Sequence, residues 1–183
     1  MNHLVNFVAS QLLWLASVAG ASSGVPLLGP AVFLVFAAYQ LSPRRRARGD
    51  AALMLLALPL GVLVDSTMSA SGLVRYAAPV PVAWLSPVWI LTLWMGFALT
   101  FNHSLARVMR RPAWAVVFGA IGGPLSYWVA QRAWGAVEFA QPLWPALLVL
   151  GALWSAAMWL LAVAFRRLST PPASRLQPAR AAS

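Results

Sequence analysis

Between two apolar runs the chain reads Leu41-Ser42-Pro43-Arg44-Arg45-Arg46-Ala47-Arg48. Four guanidinium groups in five residues separate one greasy segment, Val25 to Leu41, from another that begins near Ala51. Each segment approaches the ~17–25 residues a helix needs to cross the hydrocarbon core of a bilayer. A cationic connection between two such runs is the mark of a hairpin of membrane helices whose turn is held in water. The rest of the chain extends this pattern.

Of the 183 residues, 61% are hydrophobic and only 9% charged. A soluble domain carries about 45–50% apolar and about 25% charged residues. A water-soluble globule, a disordered chain and a nucleic-acid-binding domain are therefore poor readings. Four more apolar runs join the two already named: Leu4 to Gly20, Trp84 to Leu105, Ala113 to Ala130 and Leu143 to Phe165. The run from Ala51 fades beyond Val64, where Asp65 interrupts it. Lipid offers no partner for open backbone groups, so helices are the expected form. A β-barrel needs short alternating segments, and these runs are continuous. The expectation is an all-α transmembrane bundle of about six spans over residues 1–167, followed by a disordered cytoplasmic tail over 168–183, rich in Pro, Ala, Ser and Arg.

Charge supports the count. The chain has 13 basic residues, all Arg, against three acids. Arg44, Arg45, Arg46 and Arg48 lie between spans two and three; Arg107, Arg110 and Arg111 between spans four and five; Arg166, Arg167, Arg175 and Arg180 after span six. With six spans these eleven fall on one side, leaving only Arg75 and Arg132 on the other. The positive-inside rule then places both termini in the cytoplasm, with the bundle in a bacterial inner membrane. Val18-Ala19-Gly20-Ala21-Ser22 has the small residues of a signal-peptidase site, but no basic segment precedes it, so the first run reads as a retained span. With no Cys, disulfides and thiol catalysis are excluded. Among the Trp residues, Trp84, Trp134 and Trp144 suit the outer interfacial belt and Trp114 the inner one.

Three constellations carry chemistry. In span four, Thr92, Gly96, Thr100 and His103 recur at spacings of four, four and three, a small polar stripe on one helix face. It reads as helix packing or as an interfacial imidazole, and alternatively as a functional His. In span five, Gly119, Gly122 or Gly123, Ser126 and Ala130 make a smooth face for close packing, and Pro124 removes a backbone donor, so a kink is expected. Gly29-Pro30 in span two faintly echoes Gly122-Gly123-Pro124, as inverted halves with matching broken helices would. The third constellation is Asp65. A carboxylate at membrane depth is costly unless paired or hydrated. At a 1.5 Å rise from Ala51 it lies about 21 Å from the inner edge, level with Arg75, Tyr127, Gln131, Arg132 and Glu138. An outward-facing cluster of these six is expected, either functional or solvated at the interface with one or two ion pairs. The same arithmetic separates Asp65 from His103. No ligand spacing for a metal and no cofactor fingerprint is present.

The stretches from Pro87-Val-Trp89 through Leu93-Trp94-Met-Gly-Phe97, then Asn102-His103-Ser104-Leu105, Gly122-Gly-Pro124-Leu-Ser-Tyr127 and Gly135-Ala136, together with Asp65 followed by Gly72, resemble a bacterial inner-membrane family, domain of unknown function 2878. The resemblance covers most of the chain up to about Phe165, and the sequence departs from it at Gln131, where Gly is usual. It implies a small polytopic protein associated with fatty-acid or lipid-modifying enzymes, and no reaction. Three readings follow: a non-enzymatic component that binds membrane lipids or assists a membrane enzyme or copies of itself; a small permease; and an intramembrane lipid-modifying enzyme with His103 or Asp65 as acid or base.

Overall fold

The computed structural model describes residues 3–169. Seven helices and a two-stranded ribbon follow one another as α1 (His3–Ser22), α2 (Leu28–Gln40), α3 (Asp50–Ala70), β1 (Val74–Tyr76), α4 (Val88–Ala98), α5 (Ala106–Met109), α6 (Pro112–Trp134), β2 (Val137–Phe139) and α7 (Leu143–Ser169). Four of them, α1, α3, α6 and α7, are long and apolar enough to cross a membrane. The other two apolar helices are shorter than the sequence suggests. At 1.5 Å per residue α2 reaches about 20 Å and α4 about 16 Å.

Local chemistry explains the boundaries. Pro112 opens α6, where its missing N–H is no loss, and Gly135, at φ 65°, ends it with the left-handed turn that releases the chain toward β2. Gly49, at φ 88°, turns the Arg44–Arg48 connection into α3. Pro30 sits in the first turn of α2, so the expected pairing with Pro124 as matching helix breaks does not hold: Pro124 lies inside α6, and the helix continues through it. The apolar run of span four was expected to stay helical to Leu105. Instead α4 stops at Ala98 and the backbone continues in tight turns, with Thr100 N–H bonded to Phe97 O at 3.0 Å and His103 N–H to Thr100 O at 3.0 Å. The Thr100 hydroxyl donates to the same Phe97 carbonyl. Side chains such as Thr, Asn and Ser compete with the helix for backbone bonds in this way. The turns are tolerated at this depth because they are buried in protein: Leu99, Thr100, Phe101 and His103 are all buried.

The helices close a ring in the order α1, α2, α4, α3, α7, α6. The broadest contact is α6 on α7; α7 then packs on α3, α3 on α4, and α4 on both α1 and α2. Small residues permit the close approaches. A Cβ on Gly119 would stand 2.7 Å from the Trp154 carbonyl, one on Gly123 would enter the Trp154 ring, and one on Gly96 would strike Leu13. The ring closes least firmly between α1 and α6, where Trp14 meets Trp134 edge to face with centroids 5.5 Å apart.

The ribbon departs from the all-α expectation. β1 and β2 pair antiparallel, Val74 with Phe139, Arg75 with Glu138 and Tyr76 with Val137. Strand alternation turns Val74, Tyr76, Val137 and Phe139 into the core and Arg75 and Glu138 outward. The ribbon caps one end of the bundle. The arginine-bearing connections gather at the other: Asn102 bonds the Arg48 carbonyl, Gly49 abuts Leu168, and Arg110, Arg166 and Arg167 border a common cleft. α7 runs on through Leu168 and Ser169, beyond the expected boundary at 167; the remainder of the expected tail lies outside the described residues.

Candidate functional site

Asp65 stands one turn and a half before the end of α3 and is completely buried. Three side chains from three elements donate to it. The Tyr76 hydroxyl, turned inward by strand alternation, reaches Oδ1 at 2.8 Å. The Tyr127 hydroxyl, from α6, donates to the same oxygen. The Trp94 indole N–H, from α4, reaches Oδ2 at 2.7 Å. All three donors are neutral, and among the described residues no cationic group lies within ion-pair distance of this carboxyl. Burial, with Asp65 adjoining, pushes the Tyr76 phenol well above its ordinary range, so it remains a donor throughout the physiological range. Gly61 lets the Trp94 ring lie against α3, since a Cβ there would stand 2.5 Å from it.

The expected outward cluster is therefore divided. Asp65 and Tyr127 meet, but inside the protein rather than in interfacial water. Arg75 and Glu138 face each other across the ribbon, 4.0 Å apart with side chains 83% and 71% exposed, and do not approach Asp65. Arg132 lies over the Trp128 ring at 5.8 Å. Gln131 accepts from the Phe139 N–H at 3.0 Å and so fastens β2 to α6.

Tyr127 and Trp94 also border a cavity of about 180 Å³ in the seam between α1 and α6. α4 supplies Trp89, Leu93 and Phe97; α6 supplies Phe118, Gly122, Ser126 and Ala130; Trp14 and Val18 come from α1, Val137 from β2 and Trp154 from α7. Gly122 leaves room there, for a Cβ added to it would meet the Phe118 ring no closer than 3.6 Å. Trp94 and Trp154 stack at 4.3 Å along the wall. An apolar cavity of ~150 Å³ stays dry and binds a molecule the size of benzene. This one suits the end of a hydrocarbon chain or a single ring.

A second polar centre lies at the arginine end. His103 Nε2 is 2.9 Å from Asp50 Oδ2 and 2.8 Å from Gln40 Nε2. The Asn102 amide donates to Asp50 Oδ1 at 2.8 Å, and the Ala47 N–H to Oδ2 at 2.8 Å. Asn6 donates to Gln40 Oε1 at 2.9 Å and accepts from the Ser104 hydroxyl at 2.8 Å. Asn6, Gln40, Asp50 and His103 are all buried. The network ties the start of α1, the end of α2, the start of α3 and the turn after α4. Asp50 also sits in the first turn of α3, where the helix dipole favours a carboxylate. Within it one Nε2 faces a carboxylate oxygen and an amide nitrogen, so it either donates to Asp50 or accepts from Gln40, not both at once.

His103 is thus a buried member of a network, not a residue of the stripe expected on span four. Thr92 bonds its own Trp89 carbonyl, Gly96 packs on Leu13, and Thr100 and His103 lie past the helix end. His103 and Asp65 stand at opposite ends of the bundle, as expected. Sequence reasoning missed Asp50, Gln40, Asn6, Tyr76 and Trp94. Asp50 is one of only three acids in the chain, which was the available signal. Among the described residues no three of His, Asp and Glu gather as a metal site would require.

The sequence model of the family described as "Protein of unknown function (DUF2878)" matches residues 3–160. No curated protein and no solved structure matches the chain.

Proposed function

The chain belongs to this family of unknown function, and we propose that it is a non-catalytic, lipid-associated component of a bacterial cytoplasmic-membrane enzyme system. In this reading it seats the end of a hydrocarbon chain in the α1–α6 seam. The observation that carries it is the apolar cavity whose inner wall is Tyr127 and Trp94, the two side chains that also hold Asp65. The lining is aromatic and aliphatic, with hydroxyls only from Ser126 and Tyr127, which favours a hydrocarbon occupant over a hydrated solute. That counts against a permease. An acid–base enzyme finds no support in this cavity either, because His103 is buried at the far end and does not border it. In the same reading α2 and α4 cross with the four long helices, α4 being extended by its turns and α5. Six crossings put both termini on the arginine side, the cytoplasm by the positive-inside rule.

The test is photolabelling of the protein in membranes by a fatty acid with a diazirine at its methyl end. Adducts are expected on Phe118, Gly122 or Trp154, and Gly122→Phe, which fills the cavity, is expected to abolish them. Labelling spread evenly over the lipid-facing surface, unchanged by Gly122→Phe, would sink this reading.

A further inference from the structure

The cavity in the α1–α6 seam is walled mainly by rings. Half of the residues lining it are aromatic, although aromatic side chains make up only 11% of the chain. They are Trp14, Trp89, Trp94 and Trp154, two Phe and Tyr127, gathered from α1, α4, α6 and α7. The rings brace one another. Trp154 stacks on Trp94 with centroids 4.3 Å apart, and meets Phe97 and Tyr127 edge to face at 5.8 and 6.3 Å. Phe97 and Phe118 lie parallel within 9°. This wall is in place before an occupant arrives, so little ordering is charged to binding. The polar hydrogens of four lining side chains are engaged elsewhere. Ser126 donates to the Gly123 carbonyl, Trp89 to the Ala77 carbonyl, and Tyr127 and Trp94 to Asp65. Toward an occupant these four offer carbon surface.

We propose that the lipid tail seated in this cavity ends in a flat, unsaturated ring. The proposal rests on the reading of the seam as a seat for a lipid tail, and names what that tail carries. The cavity, at about 180 Å³, slightly exceeds the ~150 Å³ that takes benzene. It holds one ring, or the same volume of saturated chain, so size does not choose between them. The walls do. Aromatic rings set edge to face or offset against one another gain beyond the area they bury, because the positive rim of one meets the negative face of the next. A saturated chain gains from area alone. Leu, Val and Ile would serve such a chain as well, and the sequence is rich in Leu and Val; yet rings from four helices converge here. Their added gain corresponds to about a two- to tenfold preference for the flat ring.

The competing explanation is that the rings serve only as packing bulk. It predicts no difference between a flat ring and a saturated ring of the same size, which makes the two separable. The full chain in neutral-detergent micelles is photolabelled with the diazirine fatty acid, and the label is displaced by unlabelled fatty acids of matched length. One ends in phenyl, one in cyclohexyl and one in a straight saturated chain. Adducts on Phe118, Gly122 or Trp154 report the cavity, and adducts elsewhere on the lipid-facing surface report partition into the micelle. Cyclohexyl is the more hydrophobic of the two rings, so partition alone favours it over phenyl. The phenyl acid is expected to displace the cavity label at a concentration about two- to tenfold lower than either saturated competitor, with no such order at the lipid-facing adducts. Phenyl and cyclohexyl acids acting at the same concentration would overturn the proposal and leave the seat for a hydrocarbon tail standing. Absence of cavity adducts altogether would overturn that seat, and the ring with it.

Discussion

Replacing Asp65 by Ala removes one acceptor group and strands three donors. Tyr76, Tyr127 and Trp94 would each lose the oxygen that receives their polar hydrogen, and the two phenols would have only each other to turn to. Interhelical hydrogen bonds in membrane proteins average about 0.6 kcal/mol, so three give about 2 kcal/mol. A buried donor left unsatisfied costs about 1–3 kcal/mol on the soluble scale, which makes roughly 3–9 for three. The complete burial of Asp65 leaves water no access to relieve the donors, so we expect a loss of about 2–4 kcal/mol. Asp65→Asn is expected to cost less. Its carbonyl oxygen still serves both phenols, and only Trp94 meets an N–H instead of an oxygen. The measurement is reversible unfolding in mixed micelles, followed by Trp fluorescence. A double-mutant cycle sharpens it, because Tyr127→Phe should cost less when Asp65 is already Ala than in the native protein, by about 0.5 kcal/mol or more. Strict additivity of Asp65→Ala and Tyr127→Phe, or an Asp65→Ala protein as stable as the parent, would refute the account of this centre.

Two further outcomes test the packing and the polar surfaces. Gly123→Ala is expected to destabilise by about 1–3 kcal/mol, because its methyl would enter the Trp154 ring, whereas Gly122→Ala, one residue away with only ordinary contact to Phe118, should be nearly neutral; thermal unfolding of the two purified variants checks the contrast. Arg75→Ala should shift stability by no more than about 0.5 kcal/mol, since its pairing with Glu138 is long and exposed, while Asp50→Ala, which leaves the Asn102 amide with only the Arg48 carbonyl and takes the acceptor from the Ala47 N–H, should cost about 1–3 kcal/mol and speed proteolysis at Arg44–Arg48.

The gross architecture was legible because bilayer physics leaves few choices. Continuous apolar runs must be helices, and the arginine connections had to gather at one end, as they do. What was not legible depended on which face a residue presents and on partners far away in sequence. Depth arithmetic put Asp65 level with Tyr127, which it does meet, but could not say that it faces Trp94 and Tyr127 instead of the interface. Asn6 and Ser104 lie 98 residues apart, and Gln40 and His103 lie 63 apart; no local periodicity links them. α4 was read too long because Thr100, Asn102, His103 and Ser104 are few among apolar neighbours, yet they take over the backbone bonding. The ribbon left a trace in Val74-Arg75-Tyr76 and Val137-Glu138-Phe139, each apolar, charged, apolar. Three residues are too short for that alternation to stand out from a loop.

The two carboxylates of α3 explain why the bundle has one weak seam. They lie fifteen residues apart, about 22 Å along the helix, and each gathers side chains from neighbouring elements. Asp50 fixes the turn after α4 and, through His103 and Gln40, the end of α2 and the start of α1. Asp65 fixes α4 again, through Trp94, and fixes α6 through Tyr127. Every long element but α7 is tied to α3 by a polar bond or a short chain of them, and α7 is held by its close packing on α6. Yet among the described residues the polar chain from α1 to α3 lies at the arginine end and that from α6 to α3 at the ribbon end. Between these opposite anchorages their junction rests on Trp14 against Trp134, an apolar contact that hydrocarbon can replace at little cost. The cavity lies along that line, and separating α1 from α6 breaks neither polar centre. In the proposed function a lipid chain would enter from this side without disturbing what holds the fold together.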